Sequence, residues 1–327
     1  MKRAPKRQSS WTAWLALPCI AIAALVAYRT VGPTGTGRLS LRPVPHTARP
    51  ADLLPGDTGA GAAEMAREVP LSEYVKLCTQ DDVTGCERAC DGGDAASCRS
   101  LGWLYDQGSG RLKKDETRAA ALYRRACDGG DAMGCANLGV LYDYGRGVAK
   151  DAAQAAALYQ QACDAGNAQA CTNAGVMYDN GAGGFAKDEV RAVSLYRRGC
   201  DGGHAHGCAN LGLMYEFALG GLTKDNVRAA ELYRRACDRG NAPGCTSLGR
   251  MYEHGRGGEM KLESGAANLY RRGCDHGDPL GCASLGRLYE RGLGDLVQDA
   301  DRAVALYQQA CDRGEETGCA SLKRLRR

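Results

Sequence analysis

Residues 115–151 read DETRAAALYRRACDGGDAMGCANLGVLYDYGRGVAKD, and the spacing of their apolar and punctuating residues decides the fold. After Asp115, a good N-cap, the run Ala119, Ala120, Leu122, Tyr123 and Ala126 repeats apolar residues at helical spacing, which predicts a first helix. Asp128-Gly129-Gly130 ends it, because glycine tolerates the left-handed conformation found just past helix ends. Asp131 then caps a second helix with Cys135, Leu138, Leu141 and Tyr142 on one face. Gly145-Arg146-Gly147 closes that helix and Lys150-Asp151 leads into the next, so the unit is an antiparallel helix pair with short loops.

The unit recurs. Sixteen of the 17 cysteines fall into eight pairs, each spaced by eight residues: Cys78 with Cys86, Cys90 with Cys98, Cys127 with Cys135, Cys163 with Cys171, Cys200 with Cys208, Cys237 with Cys245, Cys274 with Cys282, and Cys311 with Cys319. From Cys90 onward the first member returns every 36 or 37 residues, a period that implies a stacked array rather than one closed globule. In each unit the first cysteine falls in the last turn of the first helix and the second in the first turn of the next, so a disulfide between them is geometrically reasonable. Closing a loop of about nine residues contributes roughly 2.5 kcal/mol in the chain-entropy picture. Free cysteines acting as metal or redox ligands stay open as an alternative.

Twelve of the 15 tyrosines recur at two positions: Tyr123, Tyr159, Tyr196, Tyr233, Tyr270 and Tyr307 in first helices, and Tyr105, Tyr142, Tyr178, Tyr215, Tyr252 and Tyr289 in second helices. They read as packing, with rings filling space between helices and hydroxyls reaching backbone or water. Gly102, Gly139, Gly175, Gly212, Gly249 and Gly286 interrupt the second helices. Glycine costs helix propensity there, so another helix is expected to approach closely.

The pattern Ala120-Ala121-Leu122-Tyr123-Arg124-Arg125-Ala126-Cys127, then Gly134-Cys135-Ala136-Asn137-Leu138-Gly139-Val140-Leu141-Tyr142, then Gly145-Arg146-Gly147 and Lys150-Asp151 resembles the Sel-one-like repeats, relatives of the tetratricopeptide repeats. With paired cysteines it is similar to their cysteine-rich branch, often labelled Hcp or β-lactamase-like. The resemblance covers residues 71–327: a short N-terminal cap unit (71–89), in which Cys86 and Cys90 share one helix face, six repeats, and a terminal half repeat. It implies an all-α fold, a right-handed α/α solenoid of antiparallel helix hairpins with about one disulfide per repeat, and a concave face that binds a protein or peptide partner. Leu262 stands where other units have a capping Asp, with Glu263 beside it, so that helix is expected to begin one residue later. At the far end Lys323, Arg324, Arg326 and Arg327 supply the polar outer face that a solenoid end requires.

The N-terminus speaks to location. Lys2, Arg3, Lys6 and Arg7 precede an apolar run from Trp11 to Ala27, which reads residues 1–30 as a signal-anchor with the array exported, or as a signal peptide cleaved near Ala21-Ile22-Ala23. Residues 31–70 hold six of the chain's ten prolines and six glycines and read as a flexible linker. Export agrees with disulfides, which persist in oxidising compartments. Residues 1–70 carry nine of the 42 Lys/Arg and four of the 38 Asp/Glu, leaving 33 basic and 34 acidic side chains in the array. A balanced array gives no basic stripe for nucleic acid. Arg-Arg pairs at 124/125, 197/198, 234/235 and 271/272 either form a ladder for acidic groups or serve as last-turn cations that suit the helix dipole.

Catalytic signatures are scarce. The chain has no Ser-x-x-Lys, Ser-Asp-Asn or Lys-Thr-Gly, so the β-lactamase-like label carries no serine mechanism with it. Cys200-Asp201-Gly202-Gly203-His204-Ala205-His206-Gly207-Cys208 gathers two thiols and two imidazoles, a weak metal candidate through His204 and His206 because structural zinc prefers tighter cysteine spacing. No cofactor and no catalytic residue is expected. The reading is an exported, membrane-tethered repeat scaffold for protein partners; the alternatives are a penicillin-binding or β-lactamase-type envelope protein, and a reduced metal- or haem-binding array.

Overall fold

The structure, a computed structural model, describes residue 78 and residues 83–109, 112–258 and 261–326. All lie in the compact unit Ala66–Arg327. The expected anchor, the linker and most of the cap unit lie outside the described residues. From Val83 on, fourteen α-helices follow one another among the described residues: α1 (Val83–Asp91), α2 (Ala95–Gln107), α3 (Glu116–Asp128), α4 (Ala132–Tyr144), α5 (Ala152–Asp164), α6 (Ala168–Asn180), α7 (Glu189–Asp201), α8 (Ala205–Phe217), α9 (Asn226–Asp238), α10 (Ala242–His254), α11 (Glu263–Asp275), α12 (Pro279–Arg291), α13 (Ala300–Asp312) and α14 (Glu316–Leu325). Each packs on the next, giving a right-handed α/α solenoid with no strand among the described residues.

Capping explains why the helices start in register. Asp115, Asp188, Asp225 and Asp299 each accept the backbone N–H three residues on at 2.9 Å, which satisfies a first-turn donor at the odd helices. At the even helices Asp94, Asp131, Asn167 and Asn241 do the same at 2.6–2.8 Å. Leu262 makes no side-chain cap, yet α11 begins at Glu263, in register with the others. The expected one-residue delay is corrected: Ala266 N–H bonds Leu262 C=O at 3.0 Å, and Leu262 N–H bonds Tyr252 C=O at 3.1 Å, as the corresponding residues do in other units. Backbone bonds therefore fix the start without the cap.

Glycine and tyrosine account for the tightest packing. A Cβ on Gly139, Gly175, Gly212 or Gly249 would lie 2.8–2.9 Å from the ring of Tyr159, Tyr196, Tyr233 or Tyr270 on the following odd helix. The glycine is thus the seat of the tyrosine, and those rings are 1–2 % exposed.

Disulfides join the cysteines eight apart. Cys78 is bonded to Cys86, Cys90 to Cys98, Cys127 to Cys135 and Cys163 to Cys171, with Cα atoms 4.2–4.6 Å apart. Cys200 is bonded to Cys208, Cys237 to Cys245, Cys274 to Cys282 and Cys311 to Cys319, with Cα atoms 4.4–4.5 Å apart. From Cys90 onward each bond ties an odd helix to the next even one: Cys98, Cys171, Cys245, Cys282 and Cys319 all stand in the first turn of an even helix, as Cys135 and Cys208 do. Successive even helices touch one another (α2 with α4, α6 with α8, α8 with α10, α10 with α12, α12 with α14), and successive odd helices do so less. The even helices therefore form the inner, concave row of the curve.

Candidate partner-binding face

Residues at i, i+3 and i+6 of each even helix from α2 to α12, and at i and i+3 of α14, form three columns along the even row. The first column is Ser100, Asn137, Asn173, Asn210, Ser247, Ser284 and Ser321; the second, one turn on, is Trp103, Val140, Val176, Leu213, Arg250, Arg287 and Arg324; the third, in the last turn, is Asp106, Asp143, Asp179, Glu216, Glu253 and Glu290. Trp103 is 48 % exposed and Phe217 56 %, and Met133 and Tyr144 are exposed as well, so the even helices of the N-terminal part present large apolar side chains to solvent. Farther along, Ser247, Arg250, Glu253, His254, Ser284 and Arg287 line a shallow cleft between α10 and α12.

The third column is wired into the fold. Four of the tyrosines seated on glycine donate their hydroxyls to it: Tyr196 to Asp179 at 3.2 Å, Tyr233 to Glu216 at 2.8 Å, Tyr270 to Glu253 at 2.7 Å and Tyr307 to Glu290 at 2.7 Å. These hydroxyls were expected to reach backbone or water; carboxylates take them because the acid sits one helix back at the same height. Burial pushes the Tyr307 hydroxyl up to about 12, with the hydrogen bond to Glu290 and its charge adding to it, and burial raises the Tyr233 and Tyr270 hydroxyls likewise, so these three phenols stay neutral donors. Arginines complete the C-terminal sites: Arg250 bonds Glu216 at 2.9 Å, Arg287 bonds Glu253 at 2.7 Å, and Arg324 bonds Glu290 at 2.7 Å. Burial raises the Glu253 carboxyl, but the Tyr270 and Arg287 bonds outweigh it and leave the group below its ordinary value. Glu290 is lowered by the same balance. Sequence reading missed this network although its signal is plain: an Asp/Glu and an apolar/Arg column, each recurring with the cysteine period.

The Arg-Arg pairs prove structural rather than a free ladder. The second arginine reaches back one repeat to the end of the preceding odd helix, where Arg125 bonds Cys90 C=O at 2.9 Å and Asp91 at 3.0 Å. Arg198, Arg235 and Arg272 repeat this on Cys163, Cys200 and Cys237 and on Asp164, Asp201 and Asp238, satisfying terminal carbonyls and complementing the helix dipole. The first arginine donates to a tyrosine of the following even helix: Arg124 to Tyr142, Arg197 to Tyr215 at 3.4 Å and Arg234 to Tyr252 at 3.2 Å.

His204 and His206 lie with ring centres 5.3 Å apart. His204 occupies the N-cap of α8 without capping it and instead meets Thr172 Oγ1 through Nδ1 at 2.8 Å. Burial, and then the neighbouring His206, lower its pKa to about 4, so it is neutral at physiological pH. Cys200 and Cys208 are bonded to each other and offer no thiolate beside the imidazoles, and no group of three metal-ligating side chains occurs among the described residues. No helix among them is long and apolar enough to cross a membrane.

Comparison with known proteins agrees with the geometry. The Sel1 repeat matches at residues 95–131, 132–167, 168–204, 205–241, 242–278 and 279–315. In that frame a repeat is an even helix followed by an odd one, and five of the disulfides join one repeat to the next. Among solved structures, c5321, a protective antigen present in uropathogenic Escherichia coli strains, is 32 % identical over 74 % of this chain with a TM-score of 0.63, and this chain spans 50 % of it. A Sel1 repeat protein from Oxalobacter formigenes is 23 % identical over 73 % of this chain and 96 % of its own, with a TM-score of 0.66. Helicobacter pylori cysteine-rich protein B is 28 % identical over 42 % of this chain and 96 % of its own, with a TM-score of 0.34. No curated protein matches the chain. With six consecutive repeats recognised along its disulfide-stapled helices, the chain belongs to the Sel1 repeat family.

Proposed function

We propose that this protein is an exported binding scaffold whose inner face holds a protein partner outside the cytoplasm, tethered through residues 1–30. The observation that carries the reading is the inner row itself: even helices spend one face on packing and leave Trp103, Met133, Tyr144 and Phe217 exposed, the kind of apolar surface that marks an interaction site. Eight disulfides fit an oxidising compartment. They also hold the rows rigid, which lowers the ordering cost of binding.

The test is photocrosslinking in the native cell, with a benzophenone amino acid placed at inner positions Val176 or Leu213, or at Val190 and Val227, which are exposed on odd helices. Discrete adducts from the inner positions alone are expected. Equal adducts from both sets would overturn the inner-face reading, and a reduced, cytoplasmic chain would overturn export.

A further inference from the structure

Comparison of the repeats with one another assigns a ligand chemistry to one sector of the inner face. Each third-column carboxylate can draw a guanidinium from two places in the following repeat, the second inner column and the loop after that helix. For Glu216 these places hold Arg250 and Arg256, for Glu253 they hold Arg287 and Leu293, and for Asp106 they hold Val140 and Arg146. Each of these acids is ion-paired: Glu216 to Arg250 at 2.9 Å and to Arg256 at 4.0 Å, Glu253 to Arg287 at 2.7 Å, and Asp106 to Arg146. For Asp143 the same places hold Val176 and Ala182, and for Asp179 they hold Leu213 and Leu219. All four are partly buried apolar residues packed on the core. Asp143 and Asp179 are half-buried and have no ion pair among the described residues, although burying an unpaired carboxylate is costly. Burial lifts both carboxyls above the ordinary value, with Lys150 only partly offsetting it at Asp143 and the Tyr196 hydroxyl only partly at Asp179.

We propose that the inner sector over α4, α6 and α8 binds an extended basic segment of a polypeptide, whose guanidinium or ammonium groups take on Asp143 and Asp179 the place that Arg250 and Arg287 take on Glu216 and Glu253. This rests on the inner-face reading above and gives it a partner chemistry. The neighbouring residues suit such a segment. Asn137, Asn173 and Asn210 form the first inner column, two columns from the acids, and each carries both donor and acceptor for a partner's backbone, and exposed Met133, Tyr144 and Phe217 border the sector. Packed helices stack about 8–10 Å apart and an extended chain advances about 3.3 Å per residue, so the two cations fall about three residues apart.

The experiment selects a displayed library of random dodecapeptides on the full-length oxidised chain, then compares each selected peptide with its citrulline-for-arginine version. Selected peptides carry two basic residues three apart, and citrulline weakens binding at least tenfold to the native chain but less than twofold to the Asp143→Asn/Asp179→Asn variant. Val176→Arg/Leu213→Arg, which supplies internal guanidiniums as in α10 and α12, lowers affinity at least tenfold. Peptides that lose binding on Asn173→Ala yet are indifferent to citrulline overturn this proposal and leave the inner-face reading standing. Enrichment of no peptide overturns both.

Discussion

In α8, α10 and α12 the last-turn carboxylate is a glutamate held by an arginine of the following even helix; in α4 and α6 it is an aspartate beneath valine or leucine. The backbone, the glycine seat, the tyrosine and the disulfide are the same in both regions. The difference therefore concerns the inner surface and not how the array is built. Helices α8, α10 and α12 have their last-turn carboxylates satisfied from the next even helix, whereas α4 and α6 leave Asp143 and Asp179 without an ion pair among the described residues, beside the exposed Met133, Tyr144 and Phe217.

The sharpest way to break this contrast is to remove one acid from each region. Glu216 is 4 % exposed and serves both Arg250 and Tyr233, so Glu216→Ala strands a guanidinium and a buried hydroxyl and is expected to cost about 3 kcal/mol. Asp179→Ala, which removes one acceptor of the Tyr196 hydroxyl and no ion pair, is expected to cost about 1 kcal/mol. Local hydrogen-exchange protection around the substituted helix reads both, and equal losses would break the comparison. A second substitution asks whether the shared scaffold is as uniform as it looks. Gly212→Ala places a Cβ 2.8 Å from the Tyr233 ring and is expected to destabilise by about 1–3 kcal/mol through overpacking, despite alanine's better helix propensity. Gly286→Ala, at 3.1 Å from Tyr307, should cost less; an equal or larger cost would show that the seat is not what sets the spacing.

The junction between the regions offers a smaller effect. Even helices α2, α4, α6, α10 and α12 end on a left-handed glycine, but α8 ends on Ala218 at φ 56°. Ala218→Gly is expected to stabilise by about 0.5–1 kcal/mol, measured as a rise in denaturation midpoint. Acidification gives the smallest effect, and its sign differs between the regions. Asp143 and Asp179 have folded pKa values above their unfolded ones, so their cost is absent below the unfolded value and present above the folded one. Glu253 and Glu290 have folded values below the unfolded ones, so their stabilisation is present above the unfolded value and lost as pH falls through the folded one. Taking pH from about 6 to about 3 should strengthen protection around α4 and α6 and weaken it around α10 and α12, once exchange is corrected for its intrinsic pH dependence. A common sign would refute the assignment.

The fold was legible because each unit announces itself through local chemistry: Asp115 and Asp131 as caps, Gly130 as a stop at φ 87°, and Cys127 and Cys135 as paired ends of a hairpin. The mid-helix glycines announced close approach, and the rings of Tyr123 through Tyr307 fill it. The inner face was less legible, because its contacts run between repeats, about 34 residues apart, as Arg250 to Glu216 and Arg287 to Glu253 do. The near-zero charge of the whole array carries no sign that arginine enters the second column only from α10 onward. Likewise the Arg124/Arg125-type pairs read from the sequence either as a ladder for acidic groups or as last-turn cations, and their partners one repeat away, Cys90 C=O and Asp91 among them, favour the second. Leu262 misled because one missing cap side chain does not outweigh a backbone register fixed on both sides.

The claim that the inner sector over α4, α6 and α8 is the working surface is tested most directly by hydroxyl-radical footprinting of the full-length oxidised chain, with and without a library-selected peptide bound. Oxidation of Met133, Tyr144 and Phe217 should fall several-fold on binding, while exposed Val227 and Leu262, on or next to odd helices, stay unchanged. Unaltered oxidation of those three side chains, or protection confined to α10, α12 and the odd helices, would contradict the account.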